Sequence, residues 1–159
     1  MSTVLILYHS RSGNTEEMAK AVAEGVTSEG TRVILKKVAK ASPKDLLKVD
    51  GVILGSPNYY GTMAAEMKAF IDKSVQFHGK LEGKIGAAFS SSANIAGGNE
   101  TTVLDILNAM LIHGMIIQGD SQGDHYGPVA IGSPDSRARN ECVRLGVRTA
   151  RLVKKISGE

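Results

Sequence analysis

Hydrophobic positions along the chain alternate between short continuous runs and helical spacings. Thr3 to Tyr8 (TVLILY), Gly51 to Gly55 (GVILG) and Lys84 to Ser90 (KIGAAFS) are nearly unbroken apolar runs, the pattern of strands buried on both faces. Arg32 to Val38 carries Lys36 and Lys37 and reads as a strand near a sheet edge, and Met115 to Gly119 reads as a fifth strand. After the first run, Met18, Val22 and Val26 recur at helical spacing, with Gly30 placed to end that helix. Further helices are predicted over Ala64 to Phe77, Glu100 to His113 and Asp135 to Ile156, with a turn or short helix from Ser42-Pro43 to Leu47. This alternation predicts an α/β fold: a doubly wound, five-stranded parallel sheet with helices on both faces and right-handed crossovers. No repeat, linker or low-complexity segment interrupts it, so residues 1–159 are expected to form a single domain.

Composition narrows the class. Apolar residues are 42% and charged residues 22% of the 159, the profile of an ordinary globule rather than a disordered chain. The longest nearly apolar run, Ala109 to Ile117, falls far short of the roughly 18 residues of a membrane span. The net charge of +3 gives no argument for a nucleic-acid partner. A lone cysteine, Cys142, rules out an internal disulfide and a cysteine metal cluster, and Asp120, Asp124 and His125 fit no standard metal spacing. The N-terminus lacks the basic flank and long apolar core of a signal peptide, so a cytoplasmic location is expected.

In doubly wound sheets the ligand lies beyond the carboxyl ends of the strands, where strand order reverses. The loop after the first strand, Ser10-Arg11-Ser12-Gly13-Asn14-Thr15, has the chemistry of a phosphate-monoester cradle. It offers three hydroxyls, a glycine for close backbone approach, and a helix start with free N–H groups and partial positive charge. Neither the dinucleotide pattern G-x-G-x-x-G nor the lysine-bearing phosphate loop occurs.

Ser-x-Ser-Gly-Asn-Thr after a first strand resembles the FMN phosphate loop of flavodoxins. Gly55 to Met63 (GSPNYYGTM), Phe89 to Glu100 (FSSSANIAGGNE) and His113-Gly114-Met115 are similar to the WrbA-type NAD(P)H:quinone oxidoreductases of that superfamily. The resemblance implies a flavodoxin-like sheet of order 2-1-3-4-5 and bound FMN. By it, Ser10 to Thr15 hold the phosphate. Pro57, Asn58, Tyr59, Tyr60 and Gly61 meet the ring. Ser91, Ser92, Ala93, Asn94, Ile95, Gly97 and Gly98 bind its pyrimidine edge. His113 lies near the flavin as the candidate catalytic residue, or is simply a helix-terminal histidine favoured by the helix dipole. The chain lacks the tryptophan of that family, with Phe77-His78-Gly79 in its place, and lacks the family's insertion between strands 2 and 3.

Two functions follow from the resemblance. One is two-electron reduction of a quinone-like acceptor by NAD(P)H; the other is a flavodoxin-type carrier passing single electrons between redox proteins. The 56–63 and 90–98 segments hold no acidic residue, and only the former is aromatic, which favours the enzyme. A homo-oligomer is compatible with either. Arg137, Arg144, Arg148, Arg151 and Lys155 share a face of the last helix, expected to be a solvated stripe.

Overall fold

The computed structural model describes residues 1–159. Five parallel positions form the sheet, in the order β2 (Arg32–Lys37), β1 (Thr3–Tyr8), β3 (Gly51–Tyr59), β5 (Ile85–Ser92) and β6 (Ile116–Ile117). This is the expected 2-1-3-4-5 arrangement. The parallel register of β1 on β3 runs from Val4 on Gly51 to Tyr8 on Gly55, so both strands deliver their following loops to the same end of the sheet.

Helices cover both faces. On one side α1 (Asn14–Ser28) and α4 (Ser136–Ser157) bury Val4, Ile6, Met18, Val22, Phe89 and Leu145 against the sheet. On the other, α2 (Ala65–Lys73) and α3 (Asn99–Ile112) close over Leu5, Leu7, Val52, Leu54, Met67 and Ile106. Successive residues of β1 thus serve opposite cores, which is why that strand reads as a continuous apolar run rather than an alternation. A β-carbon on Gly146 of α4 would lie 2.1 Å from the Val22 carbonyl oxygen, so the glycine is what allows α1 and α4 to cross so closely.

Three expectations need correction. The fifth strand is not Met115–Gly119 but a split position: β6 pairs with Ile85 and Gly86 at the lower end of β5, and β7 (Val129–Ile131) pairs with Ser90 to Ser92 at its upper end. The chain between them, 118–128, leaves the sheet and returns, held outside by Asp120. Val129-Ala130-Ile131, bounded by Pro128 and Gly132, is too short to announce itself as a strand. The third strand does not stop at Gly55 but continues to Tyr59 and turns back through a short antiparallel partner, β4 (Thr62–Met63). The fourth likewise extends through Ser91 and Ser92, because β7 pairs with them.

The expected basic stripe on α4 is solvated at Arg137, Arg151 and Lys155, and its arginines are ion-paired as well. Arg137 meets Asp124 at 2.9 Å, Arg139 meets Glu24 at 2.7 Å and Arg151 meets Glu29 at 2.9 Å. Arg144 and Arg148 both bind Asp120, at 2.7 and 3.1 Å. The stripe ties α4 to α1 and to the 118–128 segment. No helix is long and apolar enough to cross a membrane.

Candidate functional site

Three segments converge beyond the carboxyl ends of β1, β3 and β5. The first is 10–15. Gly13 caps α1 with φ +100 and forms no side-chain cap hydrogen bond, so the first-turn N–H groups are unclaimed by any side chain. The Gly13 N–H instead donates to Ser10 Oγ at 3.0 Å, which curls the loop over the helix start. Ser12 is exposed, whereas Thr15 is 2% exposed and its Oγ1 lies 2.9 Å from Ser91 Oγ.

The second segment is the β3–β4 hairpin. Its two turn residues both have positive φ, Tyr60 at 50° and Gly61 at 88°. Positive φ at both central positions is what matches a two-residue hairpin to the strand twist. Glycine adopts this freely, but tyrosine does so at a cost on the order of 1–2 kcal/mol. The strained residue presents its whole ring, with relative exposure of 108%. Tyr59, also exposed, packs edge-on against His9, with ring centroids 6.3 Å apart.

The third segment, 93–98, enters α3 through Gly98, another left-handed cap at φ +99 without a side-chain cap hydrogen bond. A web of bonds ties it to the hairpin. Asn58 Nδ2 donates to the Gly98 carbonyl oxygen at 2.8 Å and to Thr102 Oγ1 at 2.9 Å. Thr101 Oγ1 lies 2.7 Å from the Gly61 carbonyl oxygen, and Thr62 donates to Asp105 at 2.6 Å. A β-carbon on Gly98 would come within 2.5 Å of Asn58 Nδ2, so the contact requires a residue without one.

Between hairpin and third segment lies a cleft of about 590 Å³, lined by Arg11, Asn58, Tyr59, Tyr60, Gly61, Ala93, Asn94 and Gly97. That volume falls within the usual range of about 300–1,000 Å³ for small-ligand sites. One wall is aromatic and the other small and polar. The sole charged side chain in the lining is Arg11, and none is a carboxylate.

Sequence reasoning placed most of these residues together, but several have other duties. Asn58 spends its amide on the α3 start. Ser92 Oγ is engaged with the Asn94 carbonyl oxygen and with Asn99, both at 2.9 Å, and Ser91 faces Thr15, so neither serine lines the cleft. Ile95 is 81% exposed and outside the cleft lining.

His113 is not brought to this site. It follows α3 at the end remote from Gly98, and a helix of 14 residues spans about 20 Å. Its Nε2 lies 2.7 Å from Ser74 Oγ, and burial together with the nearby His78 holds its pKa below the usual histidine value.

Functional geometry that the sequence did not disclose includes His9, beside Tyr59 and 3.7 Å from Glu66, and the Thr101–Thr102 pair that fixes the hairpin. Neither has a motif: the pairing of β1 with β3 brings His9 to Tyr59, and the contact of the α3 start with the hairpin places the threonines. Asp120 and Asp124 are committed to arginines, and no group of three or more His, Cys, Asp or Glu side chains is placed to hold a metal ion.

Comparisons with known proteins agree with this fold. A flavodoxin-domain family model matches residues 5–109. A flavodoxin of Aquifex aeolicus is 43% identical, covering 96% of this chain and 88% of its own. A protein of Archaeoglobus fulgidus named NAD(P)H dehydrogenase (quinone) is 33% identical, covering 98% of this chain and 100% of its own. Among solved structures, a WrbA-like flavodoxin from Agrobacterium tumefaciens superposes with a TM-score of 0.81 at 28% identity, covering 98% and 99% of the two chains. The fold, the site at the sheet switch point and the family match together establish that the chain belongs to the flavodoxin family.

Proposed function

We propose that the chain binds FMN and catalyses two-electron reduction of a quinone-like acceptor by NAD(P)H. The donor set suits FMN. A helix start without a side-chain cap, a left-handed glycine and the hydroxyls of Ser10, Ser12 and Thr15 fit a terminal phosphate, and the cleft beside them fits a flat ring. Tyr59 and Tyr60 would supply the aromatic wall against which the ring lies, with Ala93, Asn94 and Gly97 along its pyrimidine edge. When bound, the flavin supplies the hydride-accepting chemistry. The protein's part is to hold the phosphate at α1, orient the ring against the hairpin and keep acids away from it.

The observation that carries the enzyme reading is the cleft lining. It contains no carboxylate, so added negative charge is not opposed there, and only one wall is aromatic, which leaves the other side accessible to a second planar molecule. The relative named NAD(P)H dehydrogenase (quinone) supports the same reading, and the 43% identical flavodoxin supports the alternative of a single-electron carrier. The test is steady-state NADH and NADPH oxidation by the FMN-loaded protein with and without benzoquinone. Turnover that depends on both protein and quinone is expected. A protein whose flavin is bleached by dithionite but by neither nicotinamide nucleotide would be the carrier.

A further inference from the structure

We infer that Arg11 is an anion-recognising residue of the cleft and selects planar aromatic acceptors that carry a carboxylate or sulfonate. This rests on the reading of the cleft as the flavin site and specifies the substrate class that the site takes.

The chain has seven arginines, and the six besides Arg11 are placed elsewhere. The five on α4 are all held: Arg137 by Asp124, Arg139 by Glu24, Arg144 and Arg148 by Asp120, and Arg151 by Glu29. Arg32 sits at the start of the edge strand β2, away from the cleft. Arg11 has neither an ion pair nor a side-chain hydrogen bond, yet it lines the cleft beside Tyr59, Tyr60 and Asn94. Of the acids around the hairpin, Asp105 accepts from Thr62 Oγ1 and Glu66 faces His9. The site therefore keeps one guanidinium uncompensated in a lining that is otherwise uncharged.

A guanidinium presents a planar fork of N–H donors that matches a carboxylate or sulfonate with two parallel hydrogen bonds. A neutral quinone carbonyl accepts only a single, weaker hydrogen bond from it. An acceptor with an acidic substituent at its rim gains a charge-assisted bond while its ring lies in the cleft. The FMN phosphate is a less suitable partner for this side chain. The unclaimed N–H groups for a phosphate are those at the start of α1, whereas Arg11 is grouped with the hairpin and the 93–97 segment.

The test titrates FMN-loaded protein with 2-naphthoate and with neutral 2-naphthamide, following the visible difference spectrum of the bound flavin. The expected result is that naphthoate binds about tenfold more tightly, the scale of one charge-assisted hydrogen bond. The preference should shrink with added salt. Arg11→Gln should abolish it, and Arg11→Lys should retain part of it. Equal affinities in the wild type, or a preference that survives in R11Q, would overturn the inference. So would an R11Q protein that loses FMN affinity about tenfold with riboflavin affinity unchanged, because the guanidinium would then serve the phosphate. An Arg11-dependent naphthoate preference in a protein that oxidises neither NADH nor NADPH would defeat the enzyme reading and sustain the anion site.

Discussion

Thr15 Oγ1 and Ser91 Oγ lie 2.9 Å apart in the interior, joining the first turn of α1 to the end of β5 across 76 positions of sequence. The two hydroxyls share one bond, so one proton remains for a further acceptor. The bond ties the 10–15 side of the site to the β5 side.

Thr15→Val keeps the shape and removes the hydroxyl. It should weaken FMN by about 1–3 kcal/mol, the scale of a hydrogen bond to a charged group, and weaken riboflavin much less. Ser91→Ala should weaken FMN less than Thr15→Val does. Fluorescence-quenching titrations with both flavins measure the contrast, and equal losses for FMN and riboflavin would contradict the phosphate assignment.

Tyr60 stands at φ 50° with its ring fully exposed, an arrangement that favours ring presentation over backbone comfort. Tyr60→Asn places a residue tolerant of left-handed φ before Gly61, the preferred pair for this turn. The variant should be as stable as the parent or more so, by about 0.5–1 kcal/mol, while its flavin affinity falls as the stacking face is lost. Urea unfolding without flavin and titration with FMN separate the two effects. A variant that is less stable yet binds FMN normally would show that the tyrosine serves the fold.

The sequence made the framework legible because β1, β3 and β5 are buried on both faces and so advertise themselves as unbroken apolar runs. The 10–15 loop stood out for a different reason: it gathers hydroxyls and a glycine at a strand–helix junction, where helix N–H groups are free. What stayed hidden depends on pairing between distant segments. Val129–Ile131 becomes a strand only because Ser90 to Ser92 offer it an open edge. Asn58 resembles a ring ligand in sequence, yet Gly98 and Thr102 claim its amide. His113 shares the HGM triplet of the family motif, but the length of α3 carries it to the far end of the sheet. The arginines of α4 read as a solvated face, and their carboxylate partners on α1 and the 118–128 segment are visible only in the fold.

Asp120 is the anchor of the 118–128 segment. Its carboxylate binds Arg144 and Arg148 and accepts the Gln122 N–H at 2.9 Å, while its backbone carbonyl accepts His125 Nδ1 at 2.6 Å. Burial alone would push the carboxyl up. The Arg144 hydrogen bonds, the Gln122 N–H and the charge of Arg148 outweigh it and hold the pKa at about 2. A depressed folded value means that the stabilisation is fully present above the usual value of 3.8 and is lost as pH falls toward about 2. Asp120→Asn should cost about 1–3 kcal/mol at pH 7 and expose 118–128 to limited proteolysis. It should also flatten the acid limb of the unfolding curve below pH ~4. Wild-type cleavage rates in that segment would show that the other contacts suffice.

His113 sets the behaviour at milder acidity. Ser74 Oγ donates its only proton to the Ile71 carbonyl oxygen at 2.6 Å, so it must accept from His113 Nε2 at 2.7 Å. The neutral ring then carries its lone pair on Nδ1, which is buried without a partner. Protonation would place an unsatisfied donor and a charge beside Phe70, Leu81 and Met110. Burial, and then the neighbouring His78, accordingly hold the pKa below 6.5; Asp72, on the same surface, is engaged by Lys68 at 2.6 Å. The folded state thus resists a proton that the unfolded chain accepts. The sign is definite: stability is greatest above the unfolded value near 6.5 and declines as pH falls through it toward the lower folded value. The melting temperature should fall between pH ~7 and ~5. His113→Gln, which keeps a donor for Ser74 and cannot titrate, should remove much of that slope. The same variant should bind FMN with parent affinity, because about 20 Å of helix separates position 113 from the cleft. An unchanged slope in H113Q would assign the mild-acid loss to another group, and a marked loss of FMN affinity would return His113 to the site.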